Sequence, residues 1–282
     1  MPYRMNPKLM YMMPTHFGPM AGPRQGPDGQ VSAFATDQRL SQSCTVRFLT
    51  RHEQLDALLP EGFSVAGDPI VTVTQTHMTG IDWLAGRGYS TLGVTFPAQF
   101  DGTHDRARGP FLSVLWENLT DPILTGREQL GFSKIYCELP EPVTHAGKTC
   151  CTASWLGFRF MDMALMNMLD SEGADGSASA DGQADPYLQG TLHYKYMPHT
   201  GNWGEADVAY AVLSPTNPPV ASPTGRWQGE GTVTFHQARW EDLPTQHMIV
   251  NALADLEITE YCGATIEHRV GGRDLSDQRM LR

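Results

Sequence analysis

From Ile70 onward apolar and polar residues alternate along the chain, as in IVTVTQTHM over 70–78. A period of two predicts strands whose side chains point to opposite faces in turn. TLGVTFPAQF (91–100) and FLSVLW (111–116) are rich in strand formers, and TCCTASWLGFRFMDMAL (149–165) reads as one long β run. The pattern then stops. Residues 170–186, DSEGADGSASADGQADP, are acidic and small, which predicts a flexible surface loop. Strand-like text resumes at once with LQGTLHYKYMP, so the loop is an insertion and not a domain linker. DVAYAVLS, GEGTVTFHQAR and ATIEHRV predict further strands.

Helical spacing occurs twice. Thr50-Arg-His-Glu53 has the form of a capping box, followed by Leu55, Leu58 and Leu59 on one face and stopped by Pro60. Pro244-Thr245 opens a second helix running to about Leu256, with Met248, Ile249, Ala252, Leu253 and Leu256 toward the core. Residues 1–35 carry too many Pro and Gly for a regular element and read as an irregular arm. With no repeat and no boundary, residues 1–282 are expected to form one β-rich domain with a few short helices.

Composition narrows the function classes. The formal net charge is −11, from 20 Lys and Arg against 31 Asp and Glu, and no dense basic cluster is present. That argues against nucleic acid and anionic membrane surfaces as partners, although a local pocket of an acidic protein still takes a small anion. Five cysteines without a C-x-x-C, two of them adjacent at Cys150-Cys151, make a poor disulfide framework. A reducing compartment is expected, and both adjacent cysteines are read as buried and structural. The Met- and Pro-rich start has no apolar signal region, and no run of about eighteen apolar residues could span a bilayer. The expectation is a soluble, cytoplasmic protein, in which Asn118-Leu-Thr120 is not a glycosylation site.

The usual chemical motifs are absent. Ten histidines are scattered without metal-ligand spacing, GRWQGEG at 225–231 is not a phosphate-binding loop, and no G-x-S-x-G elbow occurs. Attention falls on TGREQLGFSKIY (125–136), where Lys134 stands inside an apolar segment. The plain reading is a strand-end lysine whose ammonium reaches water. The alternative is an amine held out of water, which must find a partner or lose its proton.

G-R-E-x-x-G-F-x-K at 126–134 resembles the motif around the Schiff-base lysine of the acetoacetate decarboxylase family. Phe48, Leu55 and Pro60-Glu61 resemble that family's first helix. Asp68-Pro69-x-Val71 and Tyr89-x₃-Gly93-x₃-Pro97-x₂-Phe100-x-Gly102 resemble its next strands. YKYMPH (194–199) and NALADLEI (251–258) extend the likeness, which covers about residues 45–268. The resemblance implies a curved, barrel-like antiparallel sheet, a homo-oligomer, and chemistry on a small keto acid without metal or organic cofactor. Amine attack on a ketone needs the neutral amine, and an ordinary lysine of pKa ~10.4 is neutral in about one molecule in 2,500 at pH 7. Desolvation lowers a lysine by roughly 3–5 units, and acetoacetate decarboxylase is the established instance of an amine activated by its surroundings. Lys134 therefore has to face an enclosed hollow, beside Phe132, and away from bulk water.

The same resemblance implies further site residues and marks departures. Ile135 stands where the decarboxylases carry a second lysine; Thr74 and Thr91 fall where they carry pocket glutamates, with Gln75 next to the first. Ser41 falls where they carry an arginine, leaving Arg39 or Arg24 as substitutes. These losses favour aldol condensation with dehydration, on pyruvate or a related 2-oxo acid and an aldehyde, over 3-oxo acid decarboxylation. Tyr261 is the candidate proton donor and acceptor, or else an amphipathic strand-end residue. Arg127 and Glu128 either orient the substrate or hold the turn, and Tyr89, Thr91, Gln75 and Phe132 are expected to line the pocket. Trp116 is read as core and Glu117 as surface. A non-catalytic binding protein and a cyclase or hydratase of secondary metabolism remain as rivals.

Overall fold

The computed structural model describes residues 4–19, 38–171, 189–216, 221–272 and 277–282. The expected 170–186 loop lies almost wholly outside them, as does most of the 1–35 arm, Arg24 included. Chain order begins with β1 (Leu40–Leu49), α1 (His52–Asp56), β2 (Phe63–Val65), β3 (Ile70–Ile81), β4 (Arg87–Asp101) and β5 (Arg106–Glu117). It continues with α2 (Thr120–Thr125), β6 (Lys134–Tyr136), β7 (Val143–His145), β8 (Lys148–Trp155) and β9 (Phe158–Asp170). Last come β10 (Gly190–Pro198), β11 (Ala206–Pro215), β12 (Ser222–Phe235), α3 (His247–Ala254), β13 (Glu260–Val270) and β14 (Arg279–Met280).

All these strands belong to one open, curved sheet. Its order is β14-β11-β10-β5-β4-β3-β1-β13-β12-β9-β8-β7, with β2 added on β4 and β6 on β5. Neighbours are antiparallel except β10 and β6, each of which pairs parallel to β5. One face carries the core: Cys44, Val46, Val73, Leu92, Val94, Trp116 and Phe160 are all buried. The Trp116 ring packs against Phe160 and Phe235 with centroids 5.3 and 6.4 Å apart. Its indole N–H donates to Gln246 Oε1 at 2.7 Å, so the polar edge is satisfied inside the core.

Local readings are corrected in four places. The run 149–165 is two strands, because Leu156-Gly157 (φ 45° and 87°) makes a two-residue turn that pairs Trp155 with Phe158. Cys151 is buried but Cys150, its neighbour in the alternation, is exposed. The first helix lacks the capping box: Arg51 is its N-cap, and the Thr50 hydroxyl donates to the Gln54 side chain. In α3 Met248 is exposed and Val250 is buried, since the helix begins at His247 after a turn. Helix α2 and the turn after it were not legible as helical, for the segment is short and holds Pro122.

Candidate functional site

Lys134 opens β6, and its place is set by register. Leu115 pairs with Lys134, Trp116 with Ile135 and Glu117 with Tyr136. Carried across the sheet, the Lys134 row runs through Leu115, Gly93, Thr74 and Thr45. The next row on the same face runs through Glu117, Thr91, Thr76 and Ser43. Thr45 and Thr74 exchange a hydrogen bond at 3.0 Å, and Ser43 and Thr76 one at 2.9 Å. The lysine thus shares a face with a half-buried floor of hydroxyls, opposite the core face on which Ile135 packs.

The chain reaches β6 through α2 and a π-helical turn over Gly126–Leu130, closed by Gly131 at φ 81°. Such turns are rare and concentrate at functional sites. Gly126 leaves room for the lysine: a Cβ there would lie 2.5 Å from Lys134 Cε and 2.7 Å from Nζ. Arg127 Nη1 donates to the Lys134 carbonyl at 2.8 Å and holds the strand to the turn. Glu128 contributes its carbonyl, which accepts from Lys195 Nζ at 2.6 Å.

The amine is out of water. Lys134 is 7% exposed, and its Nζ donates to the Pro122 carbonyl at 3.1 Å and lies 5.6 Å from the Phe132 ring centroid. Nζ also lies 2.9 Å from Glu117 Oε1. Glu117, read from sequence as a surface residue, is 1% exposed. The apolar run FLSVLW stops at Trp116, whereas β5 continues one residue further and returns Glu117 to the lysine's face. Burial pushes the Glu117 carboxyl above the usual carboxylate range, against the pull of the Lys134 ammonium. Glu117 Oε2 is buried with no hydrogen-bond partner among the described residues. Buried ion pairs contribute little stability against well-packed apolar groups, so this pair is poorly explained as a structural brace.

Behind Phe132 lies a second residue missed in the sequence. His193 is fully buried, stacked on Phe132 with centroids 4.2 Å apart and planes 20° from parallel. Its Nδ1 donates to the Gly131 carbonyl at 2.9 Å, which fixes the tautomer, so Nε2 accepts from the Ser214 hydroxyl at 3.0 Å. Burial drives its pKa down to about 4, opposed by the Gly131 bond and aided by the Lys134 charge. A histidine inside a strand carries no positional signature in the sequence.

A cleft of about 300 Å³ opens where β10 leaves β5, lined by Ser113, Arg127, Phe132, Ser133, Ile135 and Lys195 among others. The residues flanking Lys134 line it; the lysine itself does not. Burial lowers the pKa of Lys195, opposed by Glu128. Thr91 and Tyr89 lie on the lysine's face of β4, Tyr89 near Trp83. Gln75 lies on the other face, buried, donating to the Pro140 carbonyl at 2.8 Å, because β3 alternation turns it into the core. Tyr261 is brought elsewhere: its ring meets Phe48, which is on the core face, and its hydroxyl donates to the Val233 carbonyl at 3.1 Å. Ser41 is on β1, and the Arg39 guanidinium lies against Gly272. Among the described residues no three His, Cys, Asp or Glu side chains converge as metal ligands, and no helix is long and apolar enough to cross a membrane.

The fold has known counterparts. An acetoacetate decarboxylase from Legionella pneumophila superposes with a TM-score of 0.61 at 14% identity, over 88% of each chain. The enduracididine biosynthesis enzyme MppR, solved with pyruvate bound, gives 0.59 at 16% identity over 91% of this chain and 95% of its own. An acetoacetate decarboxylase-like enzyme from Sphingomonas wittichii gives 0.58 at 18% identity, over 89% and 96%. No curated protein matches by sequence. The profile of the family described as acetoacetate decarboxylase (ADC) matches residues 13–270. With that match across nearly the whole chain, the protein belongs to the acetoacetate decarboxylase family.

Proposed function

We propose that the protein is a Schiff-base-forming lyase that acts on a small keto acid through Lys134. The observation that carries this reading is the buried amine, backed by Phe132 and set on a face of small hydroxyl residues. A neutral Lys134 adds to the ketone, and loss of water leaves a protonated imine that draws electrons from the adjacent carbon. With pyruvate the resulting enamine attacks an aldehyde, and dehydration follows. Aldol condensation with dehydration is preferred to decarboxylation because Thr74, Thr91 and Ile135 supply none of the charges of the decarboxylase pattern. MppR, of the same fold, has been solved with the condensation product of pyruvate and imidazole 4-carboxaldehyde, which supports a keto acid and an aldehyde as the reactant classes.

In this reading Arg127 and Lys195, both lining the cleft beside the lysine, draw the anionic keto acid toward the site, Arg127 orients it at the amine, and Phe132 keeps the amine dry. Thr91 and Tyr89 bound the floor, Glu128 holds Lys195, and self-association is part of the proposal. Borohydride reduction in the presence of pyruvate tests it. The expected outcome is a mass adduct on the peptide containing Lys134, absent in Lys134→Ala; no adduct with pyruvate or acetoacetate refutes it. A second reading, a keto-acid-binding protein without chemistry, draws on the Glu117 contact that occupies the amine. It predicts that Lys134→Ala still binds pyruvate and that no adduct forms.

A further inference from the structure

We propose that Glu117 is a catalytic residue, the proton shuttle through which Lys134 forms its imine. The inference rests on the Schiff-base reading of Lys134 and adds to it the group that moves the protons. Glu117 Oε1 touches the reacting nitrogen at 2.9 Å, and Oε2 lies buried with no partner among the described residues. A buried carboxylate oxygen without a donor is costly, and its cost is explained if it receives a proton during the reaction. The other neighbours of Nζ are the Pro122 carbonyl, which is no base, and the Phe132 ring. Glu117 is the one acid-base group that touches the amine among the contacts of the described residues.

The step balances. Glu117 takes a proton from the Lys134 ammonium, and the nitrogen lone pair forms a C–N bond to the ketone carbon while the carbonyl pair moves to oxygen. The protonated Glu117 gives its proton to that oxygen, takes a second one from nitrogen, and delivers it to the hydroxyl. The C–O bond then breaks with its electrons, water leaves, and C=N⁺–H remains beside a carboxylate that has returned to its starting state. Two protons have passed from nitrogen to oxygen, and the charge that develops on the iminium faces Glu117 throughout.

The test is the rate of borohydride trapping with pyruvate in the full-length protein. Glu117→Gln keeps the shape and removes the base, and trapping on Lys134 is expected to slow by about 10²-fold or more. Wild-type trapping with an unchanged rate in Glu117→Gln overturns the shuttle and leaves the Schiff-base reading standing. No trapping in the wild type overturns both. Should Glu117→Gln not fold, the wild type decides: an internal shuttle makes its trapping rate independent of buffer concentration, and a rate that rises with buffer concentration overturns the proposal.

Discussion

Gly126 and Lys134 occupy one space: the amine chain lies over the glycine so closely that a Cβ on Gly126 would sit 2.7 Å from Nζ. The glycine of the Gly-Arg-Glu motif is therefore a steric condition for the lysine's pose, and not only a turn residue. Gly126→Ala is expected to displace Lys134 from Glu117 and to cost about 1–3 kcal/mol of stability. Chemical denaturation measures the cost. Borohydride trapping, expected to fall along with it, shows that the lost pose is the productive one.

His193 ties stability to pH. Its pKa falls from 6.5 outside the fold to about 4 inside it, mainly by burial. The unfolded chain therefore binds the extra proton first as pH drops. Stability from this residue is complete above about pH 6.5 and is lost between there and pH 4, by about 3 kcal/mol. Urea titrations at half-unit intervals are expected to show that slope, and His193→Gln to flatten it over the same window.

Gln246 joins three elements at once. Its Oε1 accepts from the Trp116 indole and its Nε2 donates to the Tyr136 carbonyl at 2.9 Å, linking β5, β6 and the approach to α3. Gln246→Leu leaves a buried N–H and a carbonyl unpaired, each worth about 1–3 kcal/mol. Adding Trp116→Phe removes one of the two orphans, so the double variant is expected to be less destabilised than the sum of the single ones. A double-mutant cycle by thermal or chemical unfolding reads the difference.

Thr91 lies directly across from Glu117 in the β4–β5 pairing. Facing side chains on antiparallel strands approach within about 5 Å at Cβ, so Thr91→Glu would set a second carboxylate beside the first. Two carboxylates hold the ammonium form of Lys134 more strongly than one, and trapping with pyruvate is expected to slow about tenfold. Combining Thr91→Glu with Glu117→Gln returns the site to one carboxylate and is expected to recover the rate relative to Glu117→Gln alone.

The strands were legible because alternation in β3, β4 and β5 is tied to one buried face, and the Lys134 motif because the spacing of its Gly-Arg-Glu, aromatic and lysine resembles that of a known family. Glu117 and His193 were not legible. Each is polar within a strand, and whether such a residue meets water or a lysine depends on which other strands cover that face. Gln75 shows the converse: adjacency to a pocket position in an alignment says nothing of parity, and one residue of offset points a side chain into the opposite layer; Tyr261 pairs with Phe48 and so meets the core instead of the lysine. The break at Leu156-Gly157 escaped because a two-residue turn needs only one glycine, and apolar residues surround it.

The parallel seat of β6 on β5 carries a constraint on chain length. Lys134 is brought back to Glu117 by the segment 118–133, which leaves β5 and returns to its edge. Adding or removing a single residue there would slip the return by one and exchange the places of Lys134 and Ile135, sending an ammonium into the hydrocarbon layer and an isoleucine onto the hydroxyl floor. The distance along the chain between acid and amine is thus as much a part of the chemistry as the two groups themselves.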